Sequence, residues 1–245
     1  MKSTTLIDKT CNFASLGIFI RPIRSGPESE LVTWFLKWFS ETNPIKIPRG
    51  CQVTIFREPK LESGFPDLVI VIWSVKTACS WNEIRNDLTQ EDIRLIHYLV
   101  REGPSSYSEL NAIFSYNVAT RLEKLKAANM VRQQTNFWSA RPLSKIFAVR
   151  RIISIEAKIN ELGTALEQAH LNTWFASHSY ILVPRVPRGK NLITAARALG
   201  IGILAKSSGI VEAPLLPDEL PRSYASWLFN EWAWKTAFCE DLVTT

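Results

Sequence analysis

Leu68-Val69-Ile70-Val71-Ile72-Trp73 is apolar at every position, and a strand can afford that only when both of its faces are covered. A second run, Ile152-Ile153-Ser154-Ile155, has the same β-like character. Further strands are expected at 52–57, 180–183, 201–205 and 209–212. Between them lie segments with helical spacing. Residues 28–40 carry Leu31, Trp34, Phe35, Trp38 and Phe39 on one face, with Glu28 and Glu30 in the first turn where the helix dipole favours acids. Asn160 is placed to cap a helix through Phe175 whose apolar face is Leu162, Ala165, Leu166 and Ala169. Helices are also expected at 192–199 and, Trp-rich, at 224–238. Covered strands interleaved with helices define the α/β class.

The stretch 88–146 has a different character, with charged helices in place of covered strands. Thr89-Gln90-Glu91-Asp92 opens a helix carrying Ile93, Ile96, His97, Leu99 and Val100 to a stop at Gly103-Pro104. Helices at 106–114 and 117–129 follow, then two short strands at 130–134 and 136–138. Three helices and a β-ribbon in that order resemble a winged helix-turn-helix. The resemblance implies that the third helix presents Asn117, Thr120, Arg121, Lys124 and Lys126 to a DNA groove. The ribbon would add Arg132, Gln133, Gln134 and Arg141, with Trp138 as a base-stacking candidate. Winged helices also serve as protein–protein modules, so duplex DNA is one of two partner classes open to this segment.

The 152–155 run ends in Glu156-Ala157-Lys158. Strand alternation sends Glu156 and Lys158 to one face and Ala157 to the other. A lone pair of that kind is ordinarily a surface ion pair. With 88–146 set aside, however, the order becomes helix, strand, strand, strand, helix, strand. That order puts Asp67, at the head of the Leu68–Trp73 strand, beside Glu156 on a neighbouring strand. Gly64-Phe65-Pro66-Asp67 followed by Glu156-Ala157-Lys158 resembles the PD-(D/E)XK nuclease superfamily.

That resemblance implies a restriction-endonuclease-like αβββαβ core with a mixed sheet, formed by 1–87 and 147–245, with the small winged-helix domain of 88–146 inserted. It implies a divalent-metal-dependent DNA endonuclease using Mg²⁺ (or Mn²⁺). Asp67, Glu156 and the Ala157 carbonyl would hold the cation, and Lys158 would lie between attacking water and scissile phosphate. Gln168, on the following helix, occupies a position where several branches of the superfamily place an active-site glutamine. A third acid is open among Glu58, Glu30 and Glu28, with Glu58 preferred because it closes the strand leading into the Gly-Phe-Pro-Asp turn. Restriction, defence or mobile-element processing are the expected settings. The alternative is a DNA-binding regulator or complex subunit using a catalytically silent nuclease fold. Action on RNA or branched DNA is a lesser rival, and a homodimer would suit double-strand cleavage.

Charge agrees with a polyanionic partner, since the chain of 245 residues carries a formal net charge of +6. The four cysteines, Cys11, Cys51, Cys79 and Cys239, are scattered without zinc or disulfide spacing. No apolar run approaches the ~18 residues of a membrane span, and the opening residues lack a signal-peptide layout. A cytoplasmic protein is expected, without a membrane partner. No Gly-rich phosphate loop or dinucleotide fingerprint occurs, so no nucleotide cofactor is expected. His97, in the first helix of the 88–146 segment, is expected to be structural, and His170 and His178, which lack carboxylate or Cys companions at ligand spacing, are expected in surface or core roles.

Overall fold

The structure, a computed structural model, describes residues 4–12, 14–42, 44–188, 190–215 and 219–238; Cys239 lies outside them. The chain opens with strand β1 (Thr4–Ile7), then helix α1 (Pro27–Thr42), β2 (Cys51–Arg57) and β3 (Leu68–Ser74). A one-turn helix α2 (Val75–Ala78) and a 3₁₀ turn at Glu83–Asp87 lead into α3 (Gln90–Glu102), the two-residue β4 (Ser105–Ser106), α4 (Tyr107–Phe114) and α5 (Val118–Ala127). After these come β5 (Val131–Gln134), β6 (Phe137–Ala140) and the one-turn α6 (Leu143–Ile146). The remainder runs β7 (Val149–Ala157), α7 (Leu162–Leu171), β8 (His178–Val183), α8 (Lys190–Leu199), β9 (Gly202–Ala205), β10 (Gly209–Glu212) and α9 (Tyr224–Phe238).

Seven strands form one mixed sheet in the order β1-β2-β3-β7-β8-β9-β10, an α/β architecture. β2, β3 and β7 pair antiparallel, whereas β7-β8 and β8-β9 are parallel. The apolar run that suggested a covered strand is β3, an interior strand paired on both edges, between β2 and β7. Its alternate residues go to opposite layers: Leu68, Ile70 and Ile72 pack with Phe35 and Phe39 of α1, while Val69, Val71 and Trp73 face Phe229 and Trp232 of α9. The α7 and α8 helices form a third apolar cluster with Ile181, Val183 and Ile203.

Helix α9 is buried from Ala225 to Thr236, on every side. A helix in that position must satisfy its own polar groups. Asn230 Oδ1 accepts the Ala148 and Val149 N–H groups, and Ser226 Oγ donates to the Phe175 carbonyl. Glu231 takes the fully buried Arg85 guanidinium, which also lies 3.5 Å over the Trp81 ring.

Residues 88–146 hold the helices α3, α4 and α5, a three-stranded sheet in the order β4-β6-β5, and the one-turn α6 at their end. Thr89 and Asp92 cap α3 reciprocally, as do Ser106 and Glu109 at α4. The interior of this segment, with Ile93, Leu99, Leu122 and Met130, is continuous with the α9 layer of the main sheet.

Two local expectations are corrected. Asn160 does not cap α7; the cap residue is Glu161, in the left-handed region at φ 54°, with no side-chain cap bond. That helix also stops at Leu171 and tightens into a 3₁₀ turn over Asn172–Trp174 in place of running to Phe175. The Trp138 ring is not a surface platform. It is 5% exposed and packed in the common core, because its strand is the central one of the small sheet and its apolar face turns inward.

Candidate functional site

Asp67 immediately precedes β3, and Glu156 lies one residue before the end of β7, where Leu68 pairs with Ile155. The antiparallel register therefore brings the two acids to the same end of neighbouring strands. Asp67 Oδ2 accepts the Ala157 N–H at 2.7 Å. Ala157 packs into the α1 layer, so Glu156 projects to the other face. There its Oε1 accepts Asn172 Nδ2 at 2.6 Å.

Both acids hold their protons unusually tightly. Burial pushes Asp67 up to about 6, with repulsion from Glu58 and Glu28 adding to it and the Ala157 N–H and Lys158 opposing it. Glu156 is pushed up to about 8, by burial first and then by the Asp67 carboxylate, against the pull of Asn172, Lys158 and Arg21. Ionising both would concentrate negative charge that the surrounding cations offset only in part, so the proton stays on Glu156.

Lys158 lies just beyond the strand end, with its backbone N–H on the Leu182 carbonyl at 3.0 Å. Its ammonium meets Glu28 Oε2, at the start of α1, at 3.2 Å. The expected side-by-side display of Glu156 and Lys158 thus becomes convergence on one cavity, with Glu28 as the direct partner of the lysine. That cavity, about 350 Å³, is lined by Arg21, Glu28, Phe65, Asp67, Glu156, Lys158, Gln168 and Asn172 among others. A second one of about 650 Å³ shares Arg21, Glu28, Asp67 and Lys158 with it and continues past Arg24, Glu58 and Asn160.

Among the candidates for a third acid, Glu58 and Glu28 both reach this space. Glu58 is held in the left-handed region at φ 50°, its N–H on the Asp67 carbonyl and its own carbonyl taking the Arg21 N–H. Its carboxylate is paired with the Arg21 guanidinium. Glu30 is not part of either cavity lining. Gln168 lines the smaller cavity, and its Oε1 is buried with no hydrogen-bond partner among the described residues.

Two residues of the site carried no signal in the motif. Arg21 arrives from the segment before α1, through a bridge between Ile20 and Pro59. Asn172 stands four residues after Gln168, the spacing that places it on the same helical face, and that spacing is the sequence cue for it.

Among the described residues there is no group of three or more His, Cys, Asp or Glu side chains poised to hold a metal ion. Asp67 and Glu156 nevertheless fit a hard divalent cation. Two converging carboxylates that repel one another suit Mg²⁺, which keeps waters and takes one or two carboxylates along with substrate phosphates. The Ala157 backbone is beside them, through the N–H it gives Asp67. The histidines do not join the site: His97 and His178 are pushed down to about 4 by burial first, with Arg101 and Arg151 adding to it, and His170 is exposed.

On the 88–146 segment, Asn117, Thr120, Arg132, Gln133, Gln134 and Arg141 are exposed and Arg121 partly so. Asn117, Thr120, Arg121 and Lys124 follow the spacing of one helix face. Lys124 is committed inward: its ammonium holds the buried Asp92 carboxylate at 2.9 Å and the Asp87 carbonyl at 3.3 Å. Arg132 Nε bonds Ser139 Oγ at 3.2 Å, and Lys126 stands 5.7 Å over the Trp138 ring.

No protein-family model, curated protein or solved structure matches the chain. No helix among the described residues is long and apolar enough to cross a membrane.

Proposed function

We propose that this protein is a divalent-metal-dependent DNA endonuclease with a PD-(D/E)XK core and a winged-helix insert over 88–146 that engages duplex DNA. The observation that carries the reading is the Asp67–Glu156 pair. Two acids with raised proton affinity, from adjacent strands, share a cavity with a lysine. Supporting it are the helix–strand–strand–strand–helix–strand order of α1, β2, β3, β7, α7 and β8, and the three-helix and hairpin order of the insert.

A bound Mg²⁺ (or Mn²⁺) would acidify water and offset charge building on the phosphate. Asp67 and Glu156 would hold it, each oriented by a second contact, the Ala157 N–H and the Asn172 amide. Lys158 supplies a positive charge for the phosphate oxygens once Glu28 releases it. Gln168 Oε1, lacking a partner, is an acceptor for the attacking water. One such site cuts one strand, so double-strand cleavage requires two copies or two visits.

The test is nicking of supercoiled plasmid in Mg²⁺ by wild type, Asp67→Asn and Lys158→Ala. Nicking that both substitutions abolish is the expected result. A wild type inert on plasmid, single-stranded and branched DNA would overturn the proposal, and full activity in both variants would move the site elsewhere.

A further inference from the structure

The segment entering α1 runs as an extended edge against the loop after β2. The Phe19 carbonyl accepts the Lys60 N–H at 2.9 Å, Ile20 bridges Pro59, and the Arg21 N–H donates to the Glu58 carbonyl at 3.1 Å. Extended pairing alternates side chains. Ile20 goes inward, 3% exposed, and leaves Phe19 and Arg21 on the outer side, with Phe19 at 49%.

These outward groups assemble with the loop into a row. Lys60 Nζ stands 5.7 Å over the Phe19 ring. Phe19 meets the Phe65 ring edge-on, with centroids 6.2 Å apart, and the Arg21 guanidinium lies 4.9 Å from the Phe65 centroid. The sequence of groups is cation, ring, ring, cation. At one end Phe19 and Lys60 line a cavity of about 270 Å³; at the other, Phe65 and Arg21 line the cavity that holds Asp67 and Glu156.

A single exposed phenylalanine is unremarkable on a protein surface. An exposed ring flanked by cations and continuous with a site for phosphodiester chemistry has a specific use. Aromatic rings interleaved with cations are how single strands are held, the rings stacking on bases and the cations following the phosphates. In a duplex the base faces are hidden in the stack, so a platform of this kind selects unpaired nucleotides.

We propose that Lys60, Phe19, Phe65 and Arg21 form a binding track for an unpaired nucleic-acid strand, and that the strand delivered to Asp67 and Glu156 is single-stranded. This rests on the nuclease reading for its chemistry and narrows it in substrate. Duplex engagement by the 88–146 segment is compatible, since a duplex with a frayed end, flap or junction offers both kinds of strand to one molecule.

Binding is measured by fluorescence anisotropy at fixed salt in EDTA, so that nothing is cut, with the intact protein, Phe19→Ala and Phe19→Trp. The probes are a labelled DNA strand, an RNA strand of the same sequence and the corresponding blunt DNA duplex. Phe19→Ala is expected to weaken single-strand binding roughly tenfold, leaving the blunt duplex unchanged, and Phe19→Trp to restore it. A loss in the DNA arm alone or the RNA arm alone also supports the track and assigns the sugar it accepts. Unchanged single-strand binding in Phe19→Ala, an equal loss on the blunt duplex, or no binding of any probe by the wild type overturns it. The two proposals separate cleanly: Phe19-dependent strand binding without Mg²⁺-dependent cutting overturns the nuclease reading alone, whereas cutting with Phe19-independent binding overturns the track alone.

Discussion

Asp67 Oδ2 holds the Ala157 N–H at 2.7 Å, joining the head of one central strand to the end of the next. The same carboxylate is thus both a clasp between strands and a proposed cation ligand. Asp67→Asn keeps an acceptor oxygen for the Ala157 N–H while removing the charge. The expected outcome is a melting temperature close to wild type with nicking lowered at least ~100-fold, read by plasmid assay alongside thermal denaturation.

Glu156 makes the site expensive at neutral pH. Its proton affinity is raised from the ordinary carboxylate range to about 8. Between those limits the folded chain keeps a proton that the unfolded chain has lost, so the stability this group contributes is present at low pH and declines as pH rises toward 8. Glu156→Gln abolishes that decline and retains an oxygen for Asn172. At pH 8 the variant is expected to be more stable by on the order of 1–2 kcal/mol, a few degrees of melting temperature, and inactive. Melting curves from about pH 5 to about pH 8 check the slope.

Gln168 Oε1 is buried without a partner among the described residues, so its removal breaks no hydrogen bond with them. Gln168→Leu is expected to leave the melting temperature unchanged or slightly higher while slowing cleavage by roughly 10-fold or more. Single-turnover kinetics beside calorimetry separates the two effects; a stability loss matching the activity loss would reduce Gln168 to a packing residue.

Arg121 and Lys124 share a helix face yet have different duties. Lys124 neutralises the buried Asp92 carboxylate, and its ammonium is partly exposed, so Lys124→Ala is expected to cost about 1 kcal/mol of stability. Arg121→Ala is expected to alter stability by less than ~0.5 kcal/mol and to lower the salt dependence of duplex binding by about one charge. Duplex titrations across salt concentrations, with melting curves on both variants, test the division.

The sequence was most informative where side-chain periodicity has one solution. A six-residue apolar run needs cover on both faces, and Leu68–Trp73 has it, as an interior strand of the sheet. The tail helix was equally legible from Tyr224 to Phe238. The Thr4–Ile7 strand was not, because a short edge strand with half-exposed residues has no contrast to read. Nor was the segment around Arg21, whose conformation comes from pairing with residues far along the chain and not from any local preference. In the site, Asp67, Glu156 and Lys158 stood out as a motif. Their partner Asn172 did not, since an amide on a helix end has an ordinary local explanation, and Glu28, named among three candidates for a third acid, gave no sign of its pairing with Lys158. The pairing of Lys124 was hidden for the complementary reason: a lysine on a polar helix face gives no sign of the buried aspartate below it.

The burial of α9 on all sides has a mechanical consequence. One flank of this helix is wedded to the strands that carry the acids, and another packs on α3. The helical segment therefore cannot pivot on its two chain connections without prising apart packed tryptophan and phenylalanine rings. Under the proposed nuclease function, a DNA spanning both parts would meet a rigid gauge, with the offset from the helical segment to the acid pair set by the thickness of a packed layer. Changing that offset would demand a rebuilt interior, and lengthening a loop would not achieve it.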